Sequence, residues 1–382
     1  MLEIKNSSNL VKTSYSRDDV VILLKDLSNN MKELSTQERE RKIQSGVHYS
    51  EMLPQEKEPS ERYQYLYDKA LVDKKDEIAK HIATVSEIIV NNTVGKKAPV
   101  IISLARAGIP IGILIKRYIK WKYNMDCSHY AISIIRDRGI DINAMNYIYT
   151  QEVYMQKNTL ENFFFVDGWT GKGAIKNQLT EAVNDLKSLD NKWSDLKDYL
   201  YVLADPANIT KLCGTHEDYL IPSACLNSTV SGLISRTILN SYVDVENGEF
   251  HGAVYFERFK SIDRSNQFID VIRDAFENIT DDINVTPVEL TGDTGMEIVT
   301  KICQDYDVAD YKKVKPGIGE TTRVLLRRVP YKILINNNIS MDDPDIQHIL
   351  VLCDEKNVIV ERASLGRHYK VCGIIKELSA DA

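Results

Sequence analysis

Apolar and polar positions along this 382-residue chain change period several times, and each change marks an element. Four short apolar runs lack helical spacing: 98–104, 129–135, 163–166 and 199–204. Runs of that length, bounded by glycine, asparagine and charged residues, predict buried strands. Between them apolar positions recur at helical spacing, which predicts helices from Pro110 to about Lys122, across 143–156 and across 174–189. Pro110 suits a first helical turn, where a backbone N–H would lack a partner anyway. Strands alternating with helices predict an α/β protein with a doubly wound parallel sheet. Upstream, residues 62–93 read as one long helix or two, and the capping residues Ser16, Asp18 and Asp19 before an apolar cluster predict a helix near 18–27. Downstream, 250–256 reads as an edge element closing the first unit, and 265–305 as helices and connections. Helix 320–328, strand 331–335, helix 344–356 and strand 358–361 then make a second, smaller α/β unit. The expected domains are a helical extension over 1–95, the main α/β domain over 96–290 and the small one over 291–382.

Composition narrows the class. A formal charge of −7 gives no general attraction to nucleic acid, and 43% hydrophobic with 27% charged residues are globular values. No apolar run approaches a membrane span, and Met1-Leu-Glu-Ile-Lys-Asn6 lacks an apolar signal core, so a soluble cytoplasmic protein is expected, monomeric or oligomeric, without a membrane partner. Six cysteines (127, 213, 225, 303, 353, 372) form no C-x-x-C pair, which argues against a zinc ribbon or a disulfide framework. His48 has no partner at metal-ligand spacing. From Lys312 to Lys332, however, seven basic residues face one acid, Glu320, a local patch suited to a phosphate backbone.

The chemistry concentrates at 162–175, Asn-Phe-Phe-Phe-Val-Asp-Gly-Trp-Thr-Gly-Lys-Gly-Ala-Ile. A strand, a glycine-rich turn and a helix start can cradle an anion, since unpaired amides and the positive dipole end face it. Neither Walker nor Rossmann glycine spacing is present. Parallel sheets bind ligands at the carboxyl ends of their strands. That rule gathers Arg106-Ala107-Gly108, Arg136 with Arg138, the loop from Asp167, and Asp205 into one mouth.

The 162–175 stretch resembles the phosphoribosyl-pyrophosphate (PRPP) loop of type I phosphoribosyltransferases, with Val166 in place of the first acid, Asp167 as the second and Thr170 as the first threonine. The resemblance implies catalytic roles for Asp167, Arg136 and Arg138. It also implies that Arg106, Ala107, Gly108, Gly168, Thr170, Gly171, Lys172 and Gly173 bind PRPP or another sugar phosphate or nucleotide. Asp167 would carry Mg²⁺ through the substrate. The tail resembles the Pelota C-terminal and kink-turn-binding ribosomal-protein family, through Gly317-Ile-Gly-Glu-Thr-Thr-Arg323, Lys332-Ile-Leu-Ile335, Val351-Leu-Cys-Asp354 and Leu365-Gly366. That implies RNA contacts by Lys315, Gly317, Gly319, Glu320, Arg323 and Arg327. Together the halves resemble the StiP family, on Ser14-Tyr-Ser-Arg-Asp-Asp-Val20, Ser45-Gly-Val-His-Tyr-Ser-Glu-Met-Leu53, Ser133-Ile-Ile-Arg136, Val166–Gly173 and Phe250-His-Gly252. This resemblance implies a phosphoribosyltransferase-like domain joined to a Pelota-like one, a link to tellurite resistance and stress, and the family label "cysteine protease".

The leading expectation is therefore a PRPP-dependent phosphoribosyltransferase with an RNA-binding tail. A cysteine peptidase using Cys213 or Cys225 with His216 is the alternative: an imidazole generates the thiolate, although catalytic cysteine and histidine usually come from distant segments. A non-catalytic regulator sensing PRPP or a nucleotide is the third.

Overall fold

In the computed structural model, which describes residues 9–280, 283, 285 and 289–375, the alternating pattern closes into one parallel sheet. Its strands are β1 (Val21–Ile22), β2 (Val100–Leu104), β3 (Ser128–Ile132), β4 (Phe163–Trp169), β5 (Leu200–Ala204) and β6 (Cys213–Thr215), in the order β1-β3-β2-β4-β5-β6. Every residue of β2 and β5 is buried, as expected when helices cover both faces.

The triple-phenylalanine run shows how the layers divide. Side chains alternate across a strand, so Phe164 and Val166 join one core while Phe163 and Phe165 join another. The first core packs α1 (Glu61–Asn92) and α2 (Gly108–Tyr123) on the sheet, and the second packs α3 (Ile142–Tyr149) and α4 (Ala174–Leu189). α5 (Ser265–Asp274) joins the α1 side.

The second unit is a four-stranded sheet of β7 (Val314–Pro316), β8 (Pro330–Asn336), β9 (Ile359–Ala363) and β10 (Val371–Ile375), ordered β7-β10-β8-β9. Its helices are α6 (Gly295–Asp305), α7 (Ile318–Arg327) and α8 (Gln347–Glu355). A capping box between Thr294 and Glu297 starts α6.

Three expectations change. The helix near 18–27 is absent: Val21–Ile22 pairs with β3, and Lys25–Asp26 pairs with Gly252–Ala253 of the expected edge element. The run Val20-Val-Ile22 is β-branched, which favours pairing over helix. The third strand continues to Trp169, so Asp167 lies within it rather than beyond its tip. Strand β6 was not foreseen; Cys213 pairs with Val202 and Thr215 with Ala204.

Candidate active site and interdomain cleft

The chain steps from β2 to β3 on one side and returns to β4 on the other, so the sheet order reverses between β2 and β4. Such a reversal opens a crevice at the carboxyl ends. The turn after β2 must lie flat against β4. A Cβ on Gly108 would come within 2.4 Å of the Val166 carbonyl oxygen and 3.1 Å of Asp167 Cα, so only glycine fits.

The expected phosphate-gripping groups do converge here, but they are already engaged. The Arg106 guanidinium donates to Glu56 Oε1 at 2.9 Å, the Ile234 carbonyl at 2.9 Å and Asn227 Oδ1 at 2.7 Å. The Thr170 hydroxyl donates to Asp205. Lys172 Nζ donates to the carbonyls of Tyr311 at 2.7 Å and Val314 at 3.1 Å, both in the second unit. Burial pulls its pKa down to about 8. The Gly171 carbonyl accepts from the Tyr369 hydroxyl at 2.6 Å, and a Cβ on Gly171 would touch Glu320. Ala107 packs against Gly168, and Gly173 starts α4 with φ +89°. Arg138 pairs with Glu51 on the surface at 2.6 Å. Arg136 stays in the cleft, its guanidinium 5.6 Å from the Tyr49 ring centre.

Asp167 accepts the amide of Gly168 at 2.7 Å. Burial raises its pKa to about 7, against the pull of Arg323. One carboxylate is a poor match to Mg²⁺, which takes a full octahedron of oxygens, and Asp167 belongs to no cluster of three metal-capable side chains among the described residues.

The residues expected to touch RNA face the same cleft. Ile318, at the start of α7, donates its amide to Asp218 Oδ1 at 2.8 Å, and Lys370 donates its amide to Asp218 Oδ2 at 2.9 Å. Gly319 packs on Trp169 and Ala224, and the Arg323 guanidinium lies 4.4 Å from the Trp169 ring centre. Glu320 pairs with Arg323 at 3.0 Å. Gly317 holds φ +90° at the helix entry, and Lys315 is enclosed, its pKa lowered by burial. The Arg327 side chain lies outside the described residues. Trp169, Tyr49, Asp218 and Arg236 also shape this cleft. Of these Trp169 carried a sequence signal by its place in the glycine turn, and Tyr49 by its place in the Ser45–Leu53 stretch that bears the family resemblance.

A second constellation stands at the sheet edge. β6 and the end of β5 bring Cys213, His216 and Asp205 together. Cys213 Sγ lies 3.5 Å from His216 Nε2. His216 Nδ1 lies 3.0 Å from the Asp205 carbonyl oxygen and 3.4 Å from Asp205 Oδ2. Asp205 is fully buried, and its Oδ2 also accepts the amides of Ile209 at 2.8 Å and Thr210 at 2.9 Å. Its bond to Asp205 and the one to Cys213 raise the His216 pKa to about 10. Burial pushes the Cys213 thiol up, and the contact with His216 draws it part of the way back. Asp205 meets the imidazole on the nitrogen opposite the thiol. That order of thiol, imidazole and carboxylate suits a nucleophile, a base and an orienting group, and the three side chains, with ligand atoms within 4.8 Å of one another, are also close enough to hold a metal ion. His368 of the second unit lies beside His216, ring centres 5.6 Å apart. Cys225 is buried in the principal core near Tyr67.

Comparison with known proteins bears on the activity. Residues 13–273 match the family model "Tellurite-like stress resistance cysteine protease StiP", and residues 293–377 match "PELOTA RNA binding domain". A protein named "Cysteine protease StiP" from Acinetobacter baylyi (strain ATCC 33305 / BD413 / ADP1) is 34% identical over 348 residues, covering 88% of this chain and 87% of its own length. The expectation of a phosphoribosyltransferase using PRPP and magnesium is thereby overturned: family and relative alike carry the name of a peptidase. The physical reason is visible in the cleft, where the loop read as a phosphate cradle holds the second unit instead. With its first unit matched almost throughout and an RNA-binding-domain match in its tail, the chain belongs to the StiP family.

Proposed function

We propose that the chain is a cysteine peptidase with Cys213 as nucleophile, His216 as base and Asp205 as the group that orients the imidazole. The observation that carries it is the 3.5 Å contact between Cys213 Sγ and His216 Nε2, with Asp205 on the other ring nitrogen. With the thiol proton already held by His216 as imidazolium, the Cys213 thiolate attacks the scissile carbonyl carbon. The C–N bond breaks, and the amine leaves with that proton. Water then attacks the thioester, giving a proton to His216, and the acid departs as the thiol is restored. Asp205 holds the ring in the productive tautomer and stabilises imidazolium. The test is peptide release by the full chain and its alanine variants. Cys213→Ala and His216→Ala should each lose at least about 10³-fold in kcat, while Cys225→Ala stays near wild type. Full activity in Cys213→Ala would reject the assignment.

The tail's match to an RNA-binding domain supports RNA as a partner. Binding through the 312–332 basic stretch should weaken steeply with salt.

A further inference from the structure

Cys213, His216 and Asp205 have a neighbour that peptide cleavage does not use. His368 belongs to the second unit, in the connection between β9 and β10, and its ring centre lies 5.6 Å from that of His216. The residues after it fix this connection against the first unit. Tyr369 donates its hydroxyl to the Gly171 carbonyl at 2.6 Å, and Lys370 donates its amide to Asp218 Oδ2 at 2.9 Å. A thiol and two imidazoles, one from across the unit boundary, therefore meet at the edge of the parallel sheet. Cys213 is buried there, and His368 is partly exposed.

The spacing fits one tetrahedral ion. Zinc bonds of about 2.3 Å to sulfur and about 2.0 Å to nitrogen set the two ligand atoms about 3.5 Å apart. Cys213 Sγ and His216 Nε2 stand 3.5 Å apart. Two imidazoles on such an ion hold their ring centres about 5 Å apart, within a small side-chain adjustment of the observed 5.6 Å. Asp205 takes the orienting place rather than a ligand place. Its Oδ2 lies 3.4 Å from His216 Nδ1 and already accepts the amides of Ile209 and Thr210. A carboxylate on the far nitrogen of a metal-bound imidazole fixes the ring and strengthens it as a ligand. One thiolate with two imidazoles suits zinc, whereas magnesium and calcium take oxygen ligands.

We propose that Cys213, His216 and His368 form a zinc site joining the two units, with Asp205 orienting His216 and the fourth position left to water. The ion takes the place of the proton that the Cys213–His216 pair holds, and that proton passes to solvent. A thiolate bound to zinc is not free to attack a carbonyl, so the ion silences peptide cleavage until it is withdrawn. This consequence rests on the peptidase reading; the site itself does not.

Titrations of the metal-free full chain with cobalt(II) and zinc test it. Cobalt should bind as a single equivalent, giving a thiolate-to-cobalt charge-transfer band and the strong visible absorption of a four-coordinate ion. Zinc should displace it and erase both. The charge-transfer band should vanish in Cys213→Ala. His368→Gln should weaken zinc binding by about tenfold or more, measured by competition with a chelating dye. Since His368 is partly exposed, that substitution probes the site without opening a core. Saturating zinc should slow peptide release by wild type at least about tenfold, because the thiolate is the nucleophile, and a chelator should restore it. Peptide release that survives in Cys213→Ala would remove the peptidase reading and the silencing with it, while the cobalt spectrum would still decide the site. Cobalt that fails to bind, a charge-transfer band that survives Cys213→Ala, or undiminished zinc affinity in His368→Gln would overturn the site. Zinc saturation with peptide release unslowed would overturn the silencing alone.

Discussion

His216 is the residue whose chemistry depends most on its surroundings. Three positions from Cys213 on the chain, it reaches the thiol because β6 ends between them and the backbone turns back. Its pKa, raised to about 10 by Asp205 and Cys213, has a sign that can be checked. The folded protein holds this proton more tightly than the unfolded chain does. The resulting stabilisation is complete below about pH 6.5, the ordinary histidine value, and fades as pH rises toward about 10. Urea midpoints of the wild type should fall between about pH 7 and about pH 10, and those of His216→Gln should change less over that window. A parallel fall in both would assign the effect to other groups. Asp167 titrates with the same sign in a lower window. Its folded pKa is raised to about 7 by burial, so ionising it costs stability as pH climbs from about 4 to about 7. Asp167→Asn should flatten the profile in that range, measured by the same unfolding experiment.

At the scale of elements, the tightest fit is the turn entering α2. Gly108 brings the helix onto β4 so closely that an added methyl meets the Val166 carbonyl oxygen at 2.4 Å, a backbone atom that cannot swing away. Gly108→Ala should therefore shift α2 from the sheet and cost about 1–3 kcal/mol, as overpacking does, seen as a lower denaturant midpoint with an unchanged slope. An unaltered midpoint would mean the crevice yields freely. The same crowding explains why Asp167 was misplaced from sequence. An acid after four apolar residues looks like a strand end, yet β4 runs on through Trp169 because β5 supplies pairing partners to that point. The 18–27 segment failed for a related reason: its caps are sound local signals, but pairing with β3 and with Gly252–Ala253 outweighs them.

Across the whole molecule, one buried carboxylate ties the second unit to the first. Asp218 accepts an amide at the head of α7 and another at Lys370, and burial raises its pKa to about 7. Asp218→Ala would leave two enclosed amides without acceptors, at about 1–3 kcal/mol each. Hydrogen exchange at Ile318 and Lys370 should accelerate, while amides of β2 and β4 keep their protection. Equal acceleration throughout would mean that the two units unfold as one.

The alternation of apolar runs with helical segments was enough to specify a parallel α/β sheet, the long first helix, the helix over 174–189 and a small second unit, because each follows from local periodicity. The same local reading gathered Arg106, Arg136, Asp167 and Asp205 at the strand ends. It could not show what those groups face. Whether Lys172 grips a ligand or two carbonyls of the tail, whether Cys213 is a core thiol or touches an imidazole, and whether His368 lies beside His216 are matters of side chains brought together from distant segments. Such contacts leave no period in the sequence; packing of the two units against each other decided them.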